Sequence, residues 1–355
     1  MRYIPAFCLR EGMILARSLY GINGTLLLRR GQKLNRHHIT HIAHLGFQGV
    51  YISDKLSEEI EIQSVVSDEL RISAEKTICE IFDETMKTGI SKETATKAEH
   101  TVQNITEEII ASQDLMVNMI DLKTYDNYTY CHSVNVGILS IVLGVSLGLN
   151  REKLYKLGTS AMMHDIGKVF INPDIIEKKA RLTNDEFAEI KKHPALGYRY
   201  LQKTDYKLPP ISLTGILQHH ERVDGSGYPY GLKKNEISMF GRIISIADVF
   251  DAMTSDRPYR AALMPSDVME YLMGSAGTLF DANYVYLFTR KVAAFPLGTC
   301  VLLSNGLTAI VTENYPDCCL RPKVKIIDDS PVPVYCDLKN DRDLTDVTIL
   351  KVVKM

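Results

Sequence analysis

The chain has 355 residues, 45% hydrophobic and 24% charged, with no Trp. This ordinary globular composition excludes disordered, collagen-like and disulfide-scaffold classes. Lys+Arg 41 against Asp+Glu 43 give a formal charge of −2, which excludes bulk attraction to nucleic-acid polymers or anionic membranes. The seven Cys form no CxxC pair and read as reduced thiols of a cytoplasmic protein. Arg2, Arg10 and Glu11 interrupt the first residues, so no signal peptide is expected.

In chain order, residues 1–54 read as a small α/β unit. The apolar runs Met13–Tyr20 and Thr25–Leu28 flank Gly21-Ile-Asn-Gly24, a hairpin signal. A short helix over about 35–44 and a strand at Gly49–Ile52 follow. Residues 55–63 are a charged connector. From residue 65 to 293 the spacing of apolar residues predicts helix after helix. Loops are expected at Asn172-Pro173, Leu208–Pro210 and Asp224–Gly231. Residues 127–150 carry no charge and are nominally long enough for a bilayer. His132, Asn135, three Ser and three Gly within that stretch predict a buried core helix instead. Past Phe295-Pro296, short strands among turn residues predict a small β-barrel over 295–355. The fold class expected is thus mainly α, with small flanking units at both ends.

The distribution of His is uneven. Five of the ten lie in the 89 residues from His132 to His220: His132, His164, His193, His219 and His220. Asp165 follows His164 directly, and Asp248 lies downstream. Neutral imidazoles with carboxylates form the usual shell for Mn, Fe or Zn, and a carboxylate among several His favours a dinuclear site because its oxygens can bridge two cations. Neighbouring His and Asp cannot share a helix face, but at a helix end both can turn towards one metal. Met162-Met-His-Asp-Ile-Gly167 suits such an end. A separate cluster, His37, His41 and His44, shares one face of the N-terminal helix without accompanying acids and reads as a solvated or partner-facing surface.

The sequence resembles the HD-GYP family of HD-domain metal-dependent phosphohydrolases. The resemblance rests on His132, His164-Asp165-Ile-Gly-Lys168, His193-Pro-Ala-Leu-Gly197 and His219-His-Glu-Arg-Val-Asp-Gly-Ser-Gly-Tyr-Pro229, then Asp248 and Arg257-Pro-Tyr-Arg260, in that order. It implies an HD-domain helical bundle in which His132, His164, Asp165, His193, His219, His220 and Asp248 ligate metals, with Asp165 bridging. It also implies hydrolysis of cyclic di-GMP. In members with a third metal a carboxylate stands four residues before the first His; here that residue is Tyr128. Two divalent ions, Fe or Mn, are therefore expected, and linear pGpG is the expected product, with onward cleavage to GMP placed in doubt.

The chemistry requires such a constellation. A phosphodiester is an anion, so its attack needs charge neutralisation and a nucleophile made near neutral pH. Two metals about 3.5–4 Å apart can bridge a hydroxide, lower its pKa and hold the phosphate oxygens. Asp165 and Lys168 are the candidate catalytic pair, Lys168 contacting a phosphate oxygen or the leaving group. Lys168, Tyr228, Arg257 and Arg260 are candidate substrate contacts, the two Arg forking onto the second phosphate or a guanine edge. Glu221 and Asp224 are expected to orient the ligating His. Expected partners are cyclic di-GMP, a second copy of the chain, and a diguanylate cyclase or other signalling protein. Two other functions fit the same residues: hydrolysis of another cyclic dinucleotide or nucleotide, and a catalytically weak cyclic di-GMP-binding scaffold.

Overall fold

The computed structural model describes the chain except residues 22–23, 48, 119–127, 179, 256–261, 329–331 and 354–355. It divides into two compact units. One comprises Met1–Ser64, Leu115–Tyr128 and Val292–Met355; the other comprises Val65–Asp114 and Thr129–Lys291.

The first unit begins with a strand not evident in the sequence pattern, β1 (Arg2–Pro5). The apolar run Met13–Tyr20 is not one strand. It divides into β2 (Ile14–Leu15) and β3 (Leu19–Tyr20), which join different sheets. β3 pairs antiparallel with β4 (Leu26–Leu28), the hairpin expected from the Gly-bounded turn. Helix α1 (Arg36–His44) is capped by Asn35, whose side chain accepts the His38 N–H at 2.9 Å. β5 (Gly49–Ser53) then runs between β1 and β2. The ladder pairs Arg2 with Ile52 and Ile4 with Val50, long-range contacts that no local pattern announces.

The C-terminal strands of this unit are β6 (Cys300–Leu303), β7 (Thr308–Glu313), β8 (Lys323–Ile326), β9 (Tyr335–Asp337) and β10 (Ile349–Val352). They form one antiparallel sheet in the order β10-β6-β7-β8-β9. No ladder joins β9 to β10 among the described residues, so the expected strands are present as a sheet without a closing pair. The N- and C-terminal segments share a core in which Ala16, Tyr51, Ile60 and Ile62 pack with Cys300 and Ile310. The Tyr3 N–H donates to the Gly298 carbonyl at 3.1 Å, and Lys325 Nζ reaches Glu59 at 2.6 Å.

The second unit is helical: α2 (Asp68–Lys87), α3 (Lys92–Ala111), α4 (Tyr128–Ser146), α5 (Arg151–Met162), α6 (Pro173–Ile176), α7 (Asn184–Ile190), α8 (His193–Lys203), α9 (Pro210–Gln218), α10 (Met239–Thr254), α11 (Pro265–Gly274) and α12 (Ala282–Thr289). A 3-10 turn, Ile166–Phe170, links α5 to α6. Two helices are apolar nearly all round and therefore lie inside. In α4, Val134, Val136, Ile138, Leu139, Ile141 and Leu143 are fully buried; in α10, Phe240, Ile243, Ile244, Ile246 and Phe250 are. The uncharged stretch is thus a core helix, with 78% of its most apolar window, Thr129–Ser146, buried. Burying each such aliphatic or aromatic side chain contributes about 1.5–3 kcal/mol, which fixes α4 and α10 against the remaining helices and positions the polar residues they carry.

Candidate metal centre

The seven ligand candidates converge in the helical unit. His132 comes from α4 and Asp248 from α10. His164 and Asp165 lie where α5 gives way to the 3-10 turn, His193 opens α8, and His219 and His220 follow α9. All are buried except His220, which is partly so. Two groups of ligand atoms form, His132 with His164 and Asp165, and His193 with His219 and His220.

Both carboxylates link the two groups. Asp165 Oδ2 lies 3.7 Å from His132 Nε2 and 3.5 Å from His164 Nε2, while its Oδ1 lies 3.3 Å from His193 Nε2. Asp248 Oδ1 is 3.2 Å from His132 Nε2 and 3.9 Å from His164 Nε2, and its Oδ2 is 3.7 Å from His220 Nδ1.

The imidazoles are oriented by a repeated local device. Nδ1 of His164, His193 and His219 each meets the backbone carbonyl three residues earlier, Ala161 at 2.7 Å, Ile190 at 2.8 Å and Ile216 at 2.6 Å. A carbonyl only accepts, so these contacts assign the proton to Nδ1 and aim the Nε2 lone pair inward. His132 is held instead by Asp251, whose Oδ2 lies 2.7 Å from its Nδ1. Asn135, one turn along α4, donates to the other Asp251 oxygen at 2.9 Å.

The donor set fits a cation. His193 Nε2 and His219 Nε2 face each other at 3.2 Å, and with protons on both Nδ1 atoms these are two opposed lone pairs. His164 Nε2 and Asp165 Oδ1 are buried without a hydrogen-bond partner, a costly state for polar atoms unless a ligand satisfies them. Burial lowers His164 and, with neighbouring His, takes His219 and His220 well below the ordinary imidazole range, so these rings are neutral. Burial also opposes ionisation of Asp165 and Asp248. The Lys168 ammonium beside Asp165 and the His132 hydrogen bond to Asp248 outweigh it and hold both carboxylates well below their usual range. His132 is the exception: burial lowers it, but Asp248 and Asp251 push it up to about 9. Neutral imidazoles with ionised carboxylates are a fitting donor set for divalent transition ions.

Close backbone approach makes the convergence possible. A Cβ on Gly167 would lie 1.9 Å from the His193 carbonyl oxygen and 2.6 Å from the Gly197 nitrogen, so only glycine lets the 3-10 turn lie against α8. On the far side, a Cβ on Gly227 would lie 2.3 Å from the Arg222 nitrogen. That tight loop brings the Tyr228 ring to 4.7 Å from His220, with the planes 31° apart, and the Tyr228 N–H to the His220 carbonyl at 3.2 Å.

Other candidates fall differently. Lys168 Nζ bonds Asp165 Oδ2 at 2.5 Å, at the centre itself. Glu221 and Asp224 are turned to the loop rather than to the ligating rings. Glu221 accepts the Tyr230 and Leu232 N–H groups at 2.8 and 3.0 Å, and Asp224 accepts the Ser226 N–H. Both hold the loop, because backbone N–H groups freed by its turn need acceptors. Arg257, Arg260 and the Tyr128 side chain lie outside the described residues. His37 and His41 stack at 6.1 Å, while His44 turns to the Thr40 carbonyl. Asp251 is the site residue that sequence reasoning missed. Its signal is the spacing of three from Asp248 on an otherwise apolar helix.

Several known proteins are similar to this chain. The chain is 34% identical over 225 residues to a cyclic di-GMP phosphodiesterase of Pseudomonas aeruginosa, covering 63% of this chain and 54% of that one. It is 40% identical over 144 residues to the cyclic di-GMP phosphodiesterase response regulator RpfG of Xanthomonas campestris, 41% of this chain and 38% of that protein. A 3'3'-cGAMP-specific phosphodiesterase of Vibrio cholerae is 38% identical over 166 residues, 47% of this chain and 38% of its own. The chain thus spans about half the length, or less, of these relatives. A HDG"Y"P protein from Bdellovibrio bacteriovorus shares the fold, with a TM-score of 0.53 at 19% identity over 81% of this chain and 97% of that one. Residues 104–284, just over half the chain, match the family model described as HD domain, and with the His164-Asp165 pair and the Gly-Tyr-Pro loop in place this chain belongs to the HD-domain family in its HD-GYP form.

Proposed function

We propose that the chain is a metal-dependent phosphodiesterase that hydrolyses cyclic di-GMP to linear pGpG. The observation that carries this reading is the pair of ligand groups joined by Asp165 and Asp248. His132 and His164 would hold one divalent ion and His193, His219 and His220 the other, with Asp165 and Asp248 near both groups. Two such ions, Fe or Mn, would supply a nucleophile at neutral pH and neutralise the phosphodiester charge.

The chain's own residues do the rest. The carbonyls of Ala161, Ile190 and Ile216 and the Asp251 carboxylate keep each Nδ1 proton in place. Asp165 holds the Lys168 ammonium at the centre, where it can neutralise a phosphate oxygen and give a proton to the departing 3'-oxygen. Breaking that one P–O bond opens the ring and leaves a 5'-phosphate, which is pGpG. Tyr228 covers His220 and limits water on that side. Arg257 and Arg260 supply further contacts to the ligand. In the sequence Tyr128 takes the position of a third-metal carboxylate, which favours pGpG over onward cleavage to GMP as the product. Residues 65–293 are the catalytic part, with 1–54 and 295–355 as regulatory flanks, in a cytoplasmic homodimer that receives signalling partners such as a diguanylate cyclase.

Relatives named for 3'3'-cGAMP favour a second substrate within the same reading. Protein prepared anaerobically, with metal content measured, is incubated with cyclic di-GMP and 3'3'-cGAMP and the products separated. Cyclic di-GMP consumption with accumulation of pGpG supports the proposal. Turnover of 3'3'-cGAMP alone reassigns the substrate, and binding without turnover reduces the protein to a scaffold. His164→Ala and Asp165→Ala remove both metal and activity.

A further inference from the structure

The wall of the metal centre continues outward as a row of rings ending in a cation. Tyr228 lies against His220. The Lys191 ammonium stands 5.5 Å from the centroid of the Tyr228 ring and 4.7 Å from that of Phe187. Phe187 and Lys191 are one helical turn apart at the end of α7, on one face. Phe187 is 46% exposed, a large apolar ring left in water beside a polar site.

Lys191 has a bland explanation, because cations are favoured at helix C-termini. Its neighbour Lys192, paired with Glu189, already stands at that end. Lys191 itself has no carboxylate in ion-pair reach among the described residues. An ammonium over two ring faces keeps its charge and its N–H donors for an incoming ligand, since the rings attract it electrostatically without consuming a donor. Lys168 serves the phosphodiester at the centre, where its ammonium bonds Asp165, so a second phosphate needs another cation.

We propose that Lys191, held over Phe187 and Tyr228, is the cationic contact for the second phosphodiester of a cyclic dinucleotide whose first phosphodiester occupies the metal centre. This rests on the reading of the substrate as a cyclic dinucleotide. Such a ligand carries two phosphate charges on one small ring. The bridged ligand groups account for one, and the other must lie away from the metals, beside planar bases that seek ring faces. Lys191 meets the charge, and Phe187, 46% exposed, offers a ring face for a base.

The test uses the full chain loaded with manganese. Lys191→Met is expected to weaken cyclic di-GMP binding in equilibrium dialysis about tenfold, and to raise KM by a similar factor with kcat within about twofold. Metal content stays equal to wild type. The preference for cyclic di-GMP over bis(p-nitrophenyl) phosphate, which has a single phosphodiester, falls about tenfold. Lys191→Arg restores most of the binding, and Phe187→Leu costs about threefold because the ammonium loses one ring. Unchanged dinucleotide binding by Lys191→Met overturns the proposal, as does an equal loss on both substrates, which would mark a general disturbance of the centre. Wild-type protein that binds cyclic di-GMP without cleaving it ends the hydrolytic reading, yet weaker binding by Lys191→Met still supports this subsite. Wild type that neither binds nor cleaves any cyclic dinucleotide overturns both.

Discussion

Asp251 receives Nδ1 of His132 on one oxygen and the Asn135 amide on the other, at 2.7 and 2.9 Å, with no exposed surface of its own. A carboxylate in that position raises the basicity of the ring it holds and fixes its rotation. Asp251→Asn keeps the shape but removes the charge and sets one amide N–H against another donor. Metal affinity is expected to fall about 10–100-fold, the usual cost of losing a partner behind a ligating His. Titration of metal-free protein with manganese checks this; unchanged affinity would mean that His132 is not a ligand.

The facing Nε2 atoms of His193 and His219 predict the response to metal removal. With a cation present they are ligands; without one they repel at 3.2 Å. A chelator should lower Tm and manganese should restore it, because an ion at about 100 times its Kd stabilises by about 2.7 kcal/mol. Calorimetry with metal analysis should show near two ions per chain. A Tm insensitive to chelation with less than one ion bound would contradict the assignment.

Gly167 sets the distance between the 3-10 turn and α8. Gly167→Ala places a methyl 1.9 Å from the His193 carbonyl oxygen, and neither backbone can yield without moving Asp165 or His193. Overpacking of this kind costs about 1–3 kcal/mol or more. The expected variant unfolds at lower temperature and binds metal poorly. Wild-type Tm and metal content together would show that the turn and α8 can separate without disturbing the ligands.

Glu84 gives a pH-dependent prediction away from the site. At the end of α2 it accepts the Ser91 N–H at 2.7 Å and the Thr94 hydroxyl at 2.7 Å, tying α2 to the start of α3. Those hydrogen bonds, the Ser91 N–H foremost, hold its carboxyl below the ordinary 4.5. A lowered folded-state pKa means that the contribution is present above the unfolded pKa and is lost as pH falls through the folded one. Glu84→Gln should therefore destabilise by about 0.5–1.5 kcal/mol at pH 7, and the gap to wild type should narrow as the pH falls below the ordinary 4.5. Urea unfolding at both pH values measures it; a gap constant with pH would remove the charge from the account.

The ligand candidates were legible in the sequence because metal chemistry restricts residue types and their order along the chain is distinctive. The core nature of α4 was legible from Gly, Ser and His within an uncharged run. What escaped had long-range causes. β1 pairs with the distant β5, and the run Met13–Tyr20 divides because its first part pairs with β5 and its second with β4. Asp251 went unnoticed because its partner His132 lies 119 residues away on α4. Glu221 and Asp224 looked like supports for the rings next to them in sequence, but the unsatisfied backbone of the loop claimed them first.

The chain passes between its two units four times, at residues 64/65, 114/115, 128/129 and 291/292. Neither unit is a continuous stretch, so a fragment cut at 65 and 293 would carry Leu115–Tyr128 away from the segments it folds with. Recombination at a single breakpoint cannot transfer the ligating helices to a new host while leaving the first unit intact. A single cut therefore cannot separate the ligand-bearing helices from the unit whose segments alternate with them along the chain.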